Sequence, residues 1–261
     1  MRCAVVGHVE WVEFARVPRM PAPGEIVHAT ETWEEPAGGG AVVARQLALL
    51  AGRCELFTAV GADERGRAAE LRLAELGVDV HVQWRETTRR AFTHVDADGE
   101  RTITVLGEKL LPRGPLPLEG YDLVFFVSGD AAALSASRRA RFLAATARES
   151  ATLRRGGVRL NLLVGSAHDP GERYEGDLSA DHVALTEGAR GGRLDGARWE
   201  AAAAPAAIAD TYGAGDSFAA ALAFALARGD DPAAAAALAA RAGAAVLAGR
   251  GPYTTQLRFP P

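Results

Sequence analysis

The chain has 261 residues, 48% hydrophobic and 24% charged, enough to bury a full core as one large α/β domain or two small ones. Its net charge of −4 offers nothing to nucleic acid or an anionic membrane surface. Its two cysteines, Cys3 and Cys54, cannot build a disulfide framework or a cysteine-ligated zinc site.

The first element is a short buried strand, Cys3–Val6, ending at Gly7; with no basic region before it and no long apolar run, no signal peptide is expected and the location is read as cytoplasmic. In Ala41–Ala51, Val43, Leu47, Leu50 and Ala51 recur at helical spacing, and Gly52 stands at the C-terminal cap. A strand at Glu55–Val60, a helix at Gly66–Leu76 with Leu71 and Ala74 facing in, and a strand at Val78–Val82 follow. Ala91–Asp96 and Arg101–Leu106 flank Asp98-Gly99, a strong hairpin signal. Leu123–Ser128 and Val158–Val164 read as strands with a helix at Ser137–Glu149 between them, and Val183–Thr186 as another strand. Ser217–Ala227 is a helix after a glycine turn. The last helix opens at Asp231-Pro232, stops at Gly249, and is read as packing on the sheet. This alternation predicts one α/β domain over 1–261, a Rossmann-like, mostly parallel sheet flanked by helices. The hairpin, with the aromatic segment Glu10–Glu35, predicts a small β lid from about 10–35 and 85–106, whose exposed edge would pair two copies in a homodimer.

Chemistry concentrates at Asp210-Thr211-Tyr212-Gly213-Ala214-Gly215-Asp216, directly before an apolar helix. The small residues let backbone N–H groups of 213–215 converge at a helix N-terminus, which favours an anion. Asp216 there should have a low pKa, and it suits phosphoryl transfer as acceptor of a hydroxyl proton. The other reading is a helix-capping carboxylate. The single lysine, Lys109, lies in Gly-Glu-Lys-Leu-Leu and is neither a Walker nor a protein-kinase lysine. The six histidines show no metal-ligand spacing and are read as surface or satisfied groups; Arg89-Arg90 is read as solvated, with a grip on an anionic substrate as the other reading.

Asp210–Asp216 resembles D-T-x-G-A-G-D, the second signature of the ribokinase-like (PfkB) carbohydrate kinases, at every fixed position. Pro21–Glu25, Gly38-Gly39-Gly40 before the helix ending at Gly52, Val60–Asp63, the Asp98–Thr102 hairpin and Thr186-x-Gly188-x-x-Gly191 resemble weaker elements of the family, in its order. The resemblance implies a ribokinase fold and an ATP- and Mg²⁺-dependent kinase acting on a hydroxyl of a small sugar or nucleoside-like molecule. It implies Asp216 as base and Gly213, Ala214 and Gly215 as anion hole. Thr186, Gly188, Gly191 and Thr211 would line the nucleotide. Gly38, Gly39, Gly40, Glu10, Val12 and Val43 would stand on the acceptor side.

Three departures bear on the substrate. Val43 stands where the family carries an asparagine. Glu10 and Val12 stand where it carries an asparagine and an aspartate for sugar hydroxyls. The family's Asn-x-x-Glu is missing before Thr186, where the chain offers Asp169, Glu172 and Glu175, so the metal ligands are left open. A buried hydroxyl without a partner costs roughly 1–3 kcal/mol, so losing two partners weakens a ribose-like ligand by about two orders of magnitude or more. Glu10, Glu13 and His8 are the available replacements. A non-catalytic sugar- or nucleoside-binding relative is the alternative. A dinucleotide-binding oxidoreductase would need G-x-G-x-x-G where the chain has Gly7-His8-Val9-Glu10-Trp11.

Overall fold

A computed structural model describes residues 1–259. In chain order the elements are β1 (Cys3–Val6), β2 (Glu10–Arg16), β3 (Glu31–Ala37), α1 (Gly39–Ala51), β4 (Cys54–Gly61), α2 (Glu64–Glu75), β5 (Val78–Arg85), β6 (Arg90–Val95), β7 (Arg101–Leu106) and β8 (Leu123–Phe126). Then come α3 (Ala131–Ser137), β9 (Phe142–Thr146), α4 (Ser150–Gly156), β10 (Leu160–Ser166), β11 (Ala180–Thr186), β12 (Gly192–Leu194), β13 (Ala197–Trp199), α5 (Ala214–Arg228) and α6 (Pro232–Val246).

The main sheet runs β13-β12-β11-β10-β9-β8-β1-β4-β5, parallel except for the antiparallel edge formed by β12 and β13. Side chains alternate across it: Cys3 and Val5 join the core under α1, α5 and α6, while Ala4 and Val6 join the opposite core under α3 and α4. The chain builds outward from β1 in both directions, so the order reverses there. The crevice beyond the carboxyl ends of β1 and β8 is therefore the natural ligand site. A second sheet, β3-β2-β6-β7, forms the lid, with Phe14 stacked on Trp33 at 4.8 Å. Hairpin β6–β7 forms as expected and sets Phe92 opposite Thr104 and His94 opposite Thr102.

Several sequence expectations need correction. Of the helix expected at Ser137–Glu149 only Ser137, the last residue of α3, is α-helical; Phe142–Thr146 is strand β9 and Ala147–Glu149 a 3₁₀ turn. Phe-Leu-Ala-Ala-Thr has helical propensity, but pairing with both β8 and β10 makes it a central strand. In α2 the buried residues are Gly66, Ala69 and Leu73; Leu71 and Ala74 face out, because Asp63 caps the helix from Gly66 N and sets the buried stripe. The alanine-rich α6 packs chiefly on α5, helix on helix, as small side chains permit.

Candidate active site

Two helix N-termini meet over the end of β1. Helix α1 begins at Gly38, φ +89°, and α5 at Gly213, φ +84°; neither start carries a side-chain cap. The approach of α1 is tight. A Cβ on Gly40 would lie 2.5 Å from the His8 carbonyl oxygen, and one on Gly39 would lie 3.1 Å from Asp216 Oδ1. Glycine at 40 is thus required by the backbone of Gly7 and His8, just after β1, while glycine at 39 keeps space open beside the Asp216 carboxylate.

The signature loop is held from behind. Asp210 is fully buried; its Oδ1 accepts from Tyr212 N at 2.8 Å and its Oδ2 from Gly251 N at 3.0 Å. Gly38 N donates to the Tyr212 hydroxyl at 3.3 Å, which ties the two N-termini together. Thr211 is gripped by the lid: its N–H donates to the Gly99 carbonyl at 2.9 Å, and Arg101 donates to its carbonyl at 3.1 Å. A Cβ on Gly215 would meet nothing within 4 Å, so the first turn of α5 faces open space. Of the expected anion hole, Ala214 N already points to the Thr211 carbonyl, at 3.4 Å.

Asp216 does not have the low pKa expected of an acid at a helix start. Its pKa rises to about 6, because burial and the nearby Glu172 and Glu10 outweigh Arg101 and Arg148. The capping reading fares poorly as well, since no backbone hydrogen bond is among the influences on the Asp216 carboxylate.

On the acceptor side, His8 N donates to Ser128 Oγ at 2.9 Å and its ring Nδ1 lies 3.1 Å from the same oxygen. Burial, with Lys109, Arg89 and Arg148 nearby, lowers the His8 pKa to about 3, so the ring is neutral. Glu10 is buried and pairs with Arg89 Nε at 3.3 Å. A Cβ on Gly38 would lie 3.4 Å from Glu10 Cγ and 3.1 Å from the His8 ring. Arg89 is therefore not solvated, for only 11% of its side chain is exposed. Arg90 pairs with Glu13 at the lid surface.

The turn expected to line a nucleotide lies at the carboxyl end of β11. Gly188, φ +63°, has nothing within 4 Å of its would-be Cβ, whereas one on Gly191 would lie 2.1 Å from the Trp199 carbonyl oxygen. Gly191 is thus needed by its own β-hairpin rather than by a close ligand. Trp199 in turn stacks on Phe218 of α5 at 4.7 Å, joining this turn to the signature helix.

The pfkB family carbohydrate kinase model matches residues 1–168 and 160–258. The chain belongs to the pfkB carbohydrate kinase family. Its fold is that of ribokinase from Thermotoga maritima (21% identity, TM-score 0.78, covering 98% of this chain and 96% of that one). It is equally that of the nucleoside kinase from Methanocaldococcus jannaschii (18%, TM-score 0.76, 98% and 95% covered). The adenosine kinase of Sinorhizobium meliloti shares it too (19%, TM-score 0.75, 96% and 95% covered). No curated protein matches the chain.

Set against the pfkB pattern, the departures have a physical form. Val12 and Val43 are 0% and 1% exposed and lie in the core, so neither presents a group to a ligand. After β10, Asp169 and Glu172 both bind Arg148 from the turn after β9. Among the described residues no three histidine, cysteine or carboxylate side chains are grouped to hold a metal. Sequence reading took Arg89 as solvated and gave no role to Arg148, Arg101 or the Lys109–Glu149 pair at 2.8 Å. Arg148 and Glu149 were hidden inside the misassigned helix; as residues following a parallel strand they would have been placed at the ligand edge.

Proposed function

We propose that the protein is an ATP- and Mg²⁺-dependent kinase that phosphorylates a hydroxyl of a small sugar-like or nucleoside-like molecule. One observation carries the reading: Asp216 stands uncapped at the start of α5, facing the glycine opening of α1, with a pKa of about 6. A hydroxyl seated beside Gly39 would give its proton to Asp216, while free N–H groups of the first turn of α5 hold the phosphoryl oxygens. The open turn at Thr186–Gly188 would take the nucleotide.

The open first turn of α5 fits a phosphate group. Magnesium supplies charge neutralisation when bound with the nucleotide; Glu172 and Asp169 are the acids at hand, and both are shared with Arg148. That sharing favours the second reading, a relative that binds without phosphorylating. The proposal places the protein in the cytoplasm, on its cysteine usage, and pairs two copies along β7, where Ile103, Val105 and Leu106 are exposed. ADP release measured across a panel of sugars and nucleosides tests the activity. Silence across the panel, joined to ligand-induced thermal shifts, would establish the binder instead.

A further inference from the structure

The acceptor wall is charged, yet its charges are already matched. Arg89 contacts Glu10, Lys109 contacts Glu149, and Arg148 contacts Asp169 and Glu172. Arg101, which donates to Thr211, and Asp216 bring the total to four cations against five carboxylates, so the wall carries no excess of positive charge. The positions that would supply neutral polar contacts in the family, 12 and 43, are packed shut. Glu10 lies beside Gly38 and His8 and pairs with Arg89, and the facing atoms Oε2 and Nε are buried without an aligned hydrogen bond.

Resting on the kinase reading above, we infer that the acceptor is uncharged and that the Glu10–Arg89 pair reads its hydroxyls, selecting against phosphorylated or carboxylated acceptors. A hydroxyl both donates and accepts, so neighbouring hydroxyls satisfy a carboxylate and a guanidinium together. An anionic acceptor that took Arg89 would leave Glu10 buried without its counter-charge. It would also add charge to a crevice that must receive a polyanionic nucleotide beside Asp216.

The test is calorimetric binding to the wild-type protein saturated with a non-hydrolysable ATP analogue. D-Ribose, D-fructose and adenosine are each compared with their monophosphates. At least one neutral member should bind about 10–100-fold more tightly than its monophosphate. Glu10→Gln should narrow that gap by about tenfold, and Glu10→Asp, which keeps the charge, should preserve it. Tighter binding of a monophosphate, a gap indifferent to Glu10→Gln, or no neutral member binding would each overturn the inference. If Glu10→Gln does not fold, Arg89→Gln serves in its place and must widen the gap; an unchanged gap refutes the role of the pair. Turnover separates the two claims. Neutral binding without ADP release sinks the kinase reading alone, and rapid phosphorylation of a monophosphate sinks this inference alone.

Discussion

The helices of this protein start in two ways. Helices α2, α3 and α6 open on Asp63, Asp130 and Asp231, whose carboxylates each accept from backbone N–H groups of the first turn. Helices α1 and α5 open on Gly38 and Gly213 with no such bond. A cap stabilises a helix by satisfying donors that the helix cannot satisfy itself. Helix α4 also opens without a side-chain cap, on Glu149; what sets α1 and α5 apart is that they open on glycine and converge on Asp216, where their first-turn donors face a site an anion could use. At the two glycine starts the fold forgoes a stabilising cap beside its crevice.

The sharpest way to break this comparison is Asp216→Asn. If Asp216 is the base, phosphoryl transfer should fall by roughly 10²–10⁴. Stability should move the other way. A carboxylate whose folded pKa is raised to about 6 from 3.8 supports folding below its unfolded pKa and loses that support as pH rises through 6. At pH 8 the amide variant should therefore melt higher than wild type, by up to about 3 kcal/mol, and the difference should vanish below pH 4. A cap would give the opposite pattern, a less stable but active enzyme. In the wild type, turnover should fall about tenfold per pH unit below about 6 as the base is protonated.

Next in size is Gly39→Ala. The added methyl would lie 2.9 Å from Val127 Cγ1 and 3.1 Å from Asp216 Oδ1, so it must displace one of them. Misplacement of a reacting group by even 1 Å costs about 10²-fold, and turnover should drop on that scale. A fully active Gly39→Ala enzyme would mean that the acceptor does not pass between α1 and Asp216.

Asp231→Ala probes the capped class. It removes the bonds to Ala233 N and Ala234 N, at 2.9 and 3.3 Å, and should cost about 1 kcal/mol with no change in kcat. Chemical denaturation and steady-state rates on one preparation check both halves.

The most legible parts of the sequence were its short local signals: one helix end, one hairpin turn and one helix start. Gly52, Asp98-Gly99 and Asp231-Pro232 act on their immediate neighbours, so a string of residues suffices to place a cap or a turn. Asp210–Asp216 belongs to the same class, since its geometry is local. Strand β9 was not legible, because Phe142–Thr146 becomes a strand only through β8 and β10, which lie elsewhere in the chain. Arg148 went with it. The Asp216 pKa was misjudged for a related reason: the helix end is visible in the sequence, whereas burial and the approach of Glu172 are not. Gly191 looked like a ligand glycine until Trp199 was seen against it.

The smallest expected effect is at Gly215, in the first turn of α5, where an added Cβ would meet nothing within 4 Å. Its φ is not in the left-handed region, so alanine fits the helix unstrained. Gly215→Ala should stabilise the protein by about 0.5–1 kcal/mol, the usual gain on replacing a helical glycine. The backbone N–H stays in place, so if that donor alone holds the phosphoryl group, kcat should change by less than about threefold. The open space before Gly215 is where the phosphoryl group would sit, and a methyl projecting into it would raise the KM for ATP instead. A large rise in KM with kcat intact would locate the nucleotide's terminal phosphate against this turn. A stabilised enzyme with both constants unchanged would move the phosphate away from α5 and leave its uncapped start without a ligand to explain it.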